Sequence, residues 1–199
     1  MSLWLEPAVF PVVLDSCVLY PYVLRDLLLE ASSAGLYRVH WSPKILEDML
    51  RNVVKDRRIT SDHANRLRFK MNAAFPSASV TPAAGITEAV ACHPDDRHVV
   101  ATAMAAKAEL IVTDNISDFP AQALNSLGIE AVTSDKFLCD LWDLQPEILL
   151  RCLQIIVSRQ KDPKNRIMSF VLDNLNWQAK DFVDYVKGCE MLVKGLTAP

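Results

Sequence analysis

Glycine is scarce, with five in 199 residues, and that scarcity excludes two designs at once. A dinucleotide-binding G-x-G-x-x-G turn is absent. Ser16 and Cys17, the candidate nucleophiles, have no glycine-rich elbow around them. No apolar run approaches the roughly 18 residues that cross a bilayer. The opening Met1-Ser2-Leu3-Trp4-Leu5-Glu6-Pro7 has neither the basic region nor the apolar stretch of a secretory leader, so a cytoplasmic protein without membrane contact is expected. Five cysteines (Cys17, Cys92, Cys139, Cys152, Cys189) form no C-x-x-C pair. An odd count at such spacing suits reduced, mostly buried thiols. Four histidines show no H-E-x-x-H spacing; His98, beside Asp96, is read as a polar-face residue or a support for the acids. A net charge of −3 argues against indiscriminate nucleic-acid binding. It leaves room for a nuclease whose bound ions offset an acidic pocket.

What is present is a large apolar content, 51% of residues, patterned as alternating strands and helices. Val9 to Leu14 reads as a buried strand, Tyr22 to Ala34 as a helix stopped by Gly35, and Tyr37 to Trp41 as a second strand. Ser42 caps a helix with Pro43 at its first position and the stripe Ile45, Leu46, Met49, Leu50 and Val53. Ser61 to Ala74 is a helix capped by Ser61 or Thr60, and Ala78 to Val80 a short strand. Pro94 starts a helix to Lys107 with Val99, Val100, Ala103 and Met104 inward. Leu110 to Thr113 is a central strand, Ala121 to Leu127 a helix closed by Gly128, and Ile129 to Val132 a strand. This alternation predicts an α/β/α sandwich around a central parallel sheet over residues 1–133. After that only helices are expected (Leu138 to Leu144, Glu147 to Arg159, Pro163 to Leu172, Trp177 to Val186), so residues 134–199 form a C-terminal helical annex.

Acids stand at the element edges. Asp15 ends the first strand, Asp95 and Asp96 precede Arg97-His98-Val99-Val100-Ala101, and Asp114 and Asp118 follow Leu110-Ile111-Val112-Thr113. In a parallel sheet, sites form at the carboxyl ends of strands. Each acid alone also suits a helix cap, a first helical turn or a loop turn; their shared placement at strand exits is what singles them out. Gathered carboxylates repel, so they call for a hard divalent cation such as Mg²⁺ or Mn²⁺. Such centres hydrolyse phosphodiesters. Glu47 and Asp48 are neighbours about 100° apart on their helix, Asp48 nearer the Ile45/Met49 side and Glu47 nearer the Lys44/Leu50 side. Either can be the further acid. A haloacid-dehalogenase-like phosphatase needs a second aspartate two residues after the first, where Cys17 stands. Basic stretches (Arg51, Lys55, Arg57, Arg58, then Arg66, Arg68, Lys70) suit phosphate contacts or a solvated helix face.

These segments resemble the PIN-domain ribonucleases, most closely the VapC-type toxins of type II toxin–antitoxin systems with a C-terminal helical extension. The matching pieces are Val13-Leu14-Asp15-Ser16-Cys17-Val18-Leu19, Trp41-Ser42-Pro43-Lys44-Ile45-Leu46-Glu47-Asp48-Met49, His93-Pro94-Asp95-Asp96-Arg97-His98 and Ile111-Val112-Thr113-Asp114-Asn115-Ile116-Ser117-Asp118-Phe119. The resemblance implies a Mg²⁺- or Mn²⁺-dependent endoribonuclease. Asp15, Asp96 and Asp114 would bind metal, Asp48 or Glu47 would complete the shell, and Asp118 would place a second ion or a water. The second acid of the family is usually glutamate, so Asp48 departs in type and Glu47 in register. The resemblance further implies an RNA substrate, an antitoxin protein that puts a basic side chain among the acids, and a homodimer paired through helices. In the annex, Arg159, Lys161, Lys164 and Arg166 are available to RNA or antitoxin. The non-enzymatic alternative is a PIN-like module that kept its acids but binds protein or RNA.

Overall fold

The computed structural model describes residues 9–85 and 92–189. The opening residues on which the absence of a leader was argued, and the last ten of the annex, lie outside the described residues. Strand β1 (Pro11–Leu14) carries Val12, Val13 and Leu14 fully buried, because both faces of a parallel sheet are covered and an unbroken apolar run is stable there. It pairs in parallel with β2 (Arg38–His40) on one side and with β3 (Leu110–Val112) on the other, and β3 pairs with β4 (Glu130–Val132). The sheet order β2-β1-β3-β4 reverses direction at β1. The chain leaves β1 toward β2 and later returns to its other edge, so the ends of β1 and β3 flank the topological switch point of the sheet.

Helices cover both faces. Helix α1 (Ser16–Leu19) is a single turn after Asp15, and α2 (Tyr22–Ser33) follows, closed by Gly35 at φ +83°. Helix α3 (Pro43–Lys55) starts where the sequence places it: the Ser42 hydroxyl accepts the Ile45 N–H at 3.3 Å, and Ile45, Leu46, Met49, Leu50 and Val53 are buried. Helix α4 (Ser61–Ala74) is capped by Thr60. Helix α5 (Arg97–Ala106) packs against β1, β2, β3 and α3, and ends on Lys107 in the left-handed region, φ +53°. The short α6 (Ala121–Asn125) leads to Gly128, φ +66°, and β4.

The remaining helices are α7 (Ser134–Leu144), α8 (Pro146–Ser158), α9 (Met168–Leu175) and α10 (Lys180–Gly188). Helices α8 and α9 pack on α2, and α10 packs on α7. Leu149, Leu153 and Ile156 are buried, so the broad apolar surface of α8 is consumed within this chain. Among the described residues no helix is long and apolar enough to cross a membrane.

Several local expectations change. Residues 94–96 form a turn, with the Asp96 N–H on the His93 carbonyl at 2.9 Å, so α5 begins at Arg97. Met104 is 38% exposed, beyond the edge of the inward stripe. The Ala78–Val80 stretch makes one parallel bridge, Trp41 to Ser79, and no longer ladder. Finally, Asp162 caps a 3-10 turn at Pro163–Asn165, separating it from α9, and Trp177 stays in the turn before α10 because that helix starts at Lys180.

Candidate metal centre

Asp15 is 2% exposed and sits where β1 ends against β3, its N–H on the Val112 carbonyl at 3.0 Å. Its carboxylate caps α1: Oδ1 takes the Ser16 N–H, while Oδ2 accepts from Thr113 Oγ1 at 2.8 Å and from Cys17 Sγ at 3.3 Å. Cys17 also accepts the Asp114 N–H at 3.3 Å, so its sulfur ties the two strand exits together. Burial and then the Asp15 charge push the Cys17 thiol up to about 12. It remains a protonated donor and not a nucleophile.

Asp96 is half-buried in the turn before α5. Burial raises its pKa first, followed by the charges of Asp15 and Asp118, against weaker lowering by His93 and His98. The charges that act on Asp96 thus come from the end of β1, through Asp15, and from the 3-10 turn Ile116–Asp118 after β3, through Asp118. His93 Nδ1 lies 3.5 Å from Asp96 Oδ2. Asp114 is exposed, and its Oδ1 accepts from the Ser134 N–H at 2.9 Å and the Ser134 hydroxyl at 2.8 Å. It thereby ties the end of β3 to the start of α7. Asp95 is exposed.

The two adjacent acids of α3 separate cleanly. Glu47 is exposed, whereas Asp48 is largely covered and faces α5. Asp48 Oδ1 is 2.9 Å from Lys44 Nζ and 2.7 Å from Arg51, and its Oδ2 is 3.4 Å from His98 Nε2. That last contact is too poorly aligned for a hydrogen bond, and His98 Nε2 is otherwise buried without a partner. His98 thus stands between Asp48 and Asp96 with an unsatisfied ring nitrogen.

The donor set fits a hard divalent cation. Among the described residues no lysine or arginine pairs with Asp15, Asp96 or Asp118, and facing carboxylates are stable only when something neutralises them. Also among the described residues, no group of three or more His, Cys, Asp or Glu side chains is arranged to hold a metal ion. Thr113, Cys17, Ser134 and His98 all support these acids, and sequence reasoning gave only His98 a supporting role. Thr113 has one signal, its place directly before Asp114 at the strand exit. Ser134 has none, because its contact spans 20 residues and is set by how α7 leaves β4.

The basic stretches are partly engaged. Arg51 is on Asp48, Arg159 is on Glu30 at 2.6 Å, and the Arg58 guanidinium lies 4.7 Å from the Tyr20 ring centre. Arg57, Arg58, His63 and Lys161 line a cleft of about 710 Å³ between the α3–α4 loop and the annex.

A family model described as "PIN domain" matches residues 11–117, more than half of the chain. A protein of Mycobacterium tuberculosis (strain ATCC 25618 / H37Rv), provisionally named ribonuclease VapC50, is 39% identical over 90 residues. That match covers 45% of this chain and 53% of the relative, so the chain spans about half of the relative's length. No solved structure matches the chain.

Proposed function

The chain belongs to the PIN domain family, and from that premise we propose that it is a divalent-metal-dependent endoribonuclease, the toxin of a toxin–antitoxin pair. The observation that carries this reading is the buried Asp15 carboxylate at the β1 exit, held by Thr113 and Cys17 at the switch point of the sheet, with Asp96 raised by burial and by the charges of Asp15 and Asp118. The name of the 39% identical relative supports RNA as substrate.

Asp15, Asp96 and Asp118 would hold a Mg²⁺ or Mn²⁺ ion, Asp118 taking the place the resemblance gives to Asp114, whose Oδ1 is engaged with Ser134. Bound there, the ion supplies a lowered pKa for an attacking water and charge stabilisation for the scissile phosphate. Thr113 and Cys17 hold Asp15 in one orientation, so its oxygens need no reorganisation as substrate arrives. Asp48 extends the acidic surface toward His98 of α5, and its ion pairs with Lys44 and Arg51, both on α3, fix its carboxylate on that helix. Asp114 fixes the β3 exit to α7 and carries the 3-10 turn that presents Asp118. Glu47, on the solvent side, has no part. Phosphates flanking the cut are drawn to the Arg57, Arg58 and Lys161 cleft, since charge neutralisation there needs no base recognition.

An antitoxin segment would inhibit by putting a guanidinium among the acids, since its fork of donors satisfies several carboxylates at once. Purified protein incubated with single-stranded and structured RNA, with Mn²⁺ or with EDTA, tests the nuclease reading. Growth arrest on expression, relieved by a protein encoded beside it, tests the toxin reading. A non-catalytic RNA- or protein-binding module is the competing account. The observation on its side is that Lys44 and Arg51 already neutralise Asp48.

A further inference from the structure

Trp177 is 91% exposed, the largest side chain in the described structure with almost no packing. The other two described tryptophans, Trp41 and Trp142, are buried. Leaving an indole in water forfeits the burial that normally stabilises it, so its position asks for a partner. The mount is rigid. The turn between α9 and α10 is closed by the Gln178 and Ala179 N–H groups on the Leu175 carbonyl at 3.0 and 2.9 Å, and Ala179 is fully buried.

That turn is joined to the acidic centre by an unbroken set of contacts. The Gln178 carbonyl oxygen lies 3.2 Å from the Ser134 hydroxyl, which donates to Asp114 Oδ1 at 2.8 Å. The Asp114 N–H reaches Cys17 Sγ at 3.3 Å, and Cys17 Sγ reaches Asp15 Oδ2 at 3.3 Å. The indole is therefore carried one residue from a backbone group that shares a serine with the strand exit. Its chain neighbours Asn176, Gln178 and Lys180 are polar, unlike the contiguous apolar surface of a protein-docking anchor.

We propose that Trp177 is a stacking platform for one unpaired base of an RNA strand bound at the acidic centre. The inference rests on the ribonuclease reading and deepens it, making the preferred substrate single-stranded. Unstacked bases are gripped on aromatic faces, and such stacking tolerates any base because each has a π-face.

The test measures binding of a fluorescein-labelled single-stranded RNA to the full chain by anisotropy in Ca²⁺, a hard cation that oxygen ligands take. Loss of a stacked base weakens binding by about 5- to 150-fold, so Trp177→Ala should bind more weakly than the wild type by a factor in that range while Trp177→Phe keeps most of the affinity. Both should melt with the wild type, since an exposed ring contributes no packing. An abasic nucleotide walked along the RNA should weaken wild-type binding at one position and cost nothing there in Trp177→Ala. No measurable wild-type binding, equal binding by Trp177→Ala, or an abasic penalty unchanged in that variant would overturn the platform. So would a Trp177→Ala effect seen only on a protein partner. RNA that binds through Trp177 yet is never cut with Mn²⁺ would sink the nuclease reading and leave the platform standing.

Discussion

Thr113 Oγ1 donates to Asp15 Oδ2 at 2.8 Å across 98 residues of sequence, and both side chains are buried. The pair joins the ends of β1 and β3 at the one point where the sheet order reverses. Thr113→Val keeps the shape and removes the hydroxyl, leaving Asp15 Oδ2 with only the Cys17 thiol and the Asn115 N–H without its acceptor. An unsatisfied buried group costs about 1–3 kcal/mol, so a lowered melting temperature is expected together with weakened Mn²⁺ binding by calorimetry. A variant as stable and as tight as the wild type would show that Asp15 needs no such support.

Asp96 sets a pH dependence in metal-free protein. Its folded pKa is raised by burial and by Asp15 and Asp118, so between the ordinary value of about 3.9 and the raised folded value the native state binds more proton than the unfolded one. Stability attributable to this group therefore falls as pH rises through that window, and the cost is fully present at neutral pH. In EDTA, Asp96→Asn should melt higher than the wild type at pH 7, the gap closing as pH drops toward 4. Mn²⁺ should reverse the order by stabilising the wild type alone. A constant gap across pH would contradict the assignment.

The neighbouring acids of α3 should respond oppositely. Asp48→Ala leaves Lys44 and Arg51 without their carboxylate and His98 with Asp96 alone, and should lower both stability and RNA cleavage. Glu47→Ala, at an exposed position, should stay within about 0.5 kcal/mol in stability and keep full activity. Reversed outcomes would assign the role to Glu47.

Thiol reactivity should be low at Cys17, Cys139 and Cys152. Burial is the leading cause pushing Cys17 and Cys139 up to about 12 and Cys152 up to about 11, and the thiolate is the reacting species. Alkylation of these three at pH 8 should accelerate on the order of a hundredfold when the chain is unfolded in urea, read by mass spectrometry at each of them. Rapid labelling of Cys17 in the folded protein would overturn its place as a protonated donor to Asp15.

Much of this fold is written locally. The Val12-Val13-Leu14 run, the Ser42-Pro43 cap and the stops at Gly35 and Gly128 each act within a few residues, and each stands where the sequence places it. The breaks fall where longer-range contacts decide. Asp162 captures its own turn and splits one expected helix, and the start of α10 is set by Asp135, whose carboxylate accepts the Asp181 and Phe182 N–H groups from 46 and 47 residues away. The positions of Asp15 and Asp114 just after strands were legible because strand ends are local features. Their supports were not, since Thr113 to Asp15 and Ser134 to Asp114 are consequences of sheet order and helix packing. Glu47 and Asp48 could be separated only once the rotation of α3 against α5 was known.

The most direct measurement compares wild type with Asp15→Asn for cleavage of single-stranded RNA in Mn²⁺ and in EDTA. The account predicts cleavage by the wild type in Mn²⁺, none in EDTA, and loss of most of the rate in Asp15→Asn with its fold intact. Cleavage in EDTA, or full activity in Asp15→Asn, would contradict it.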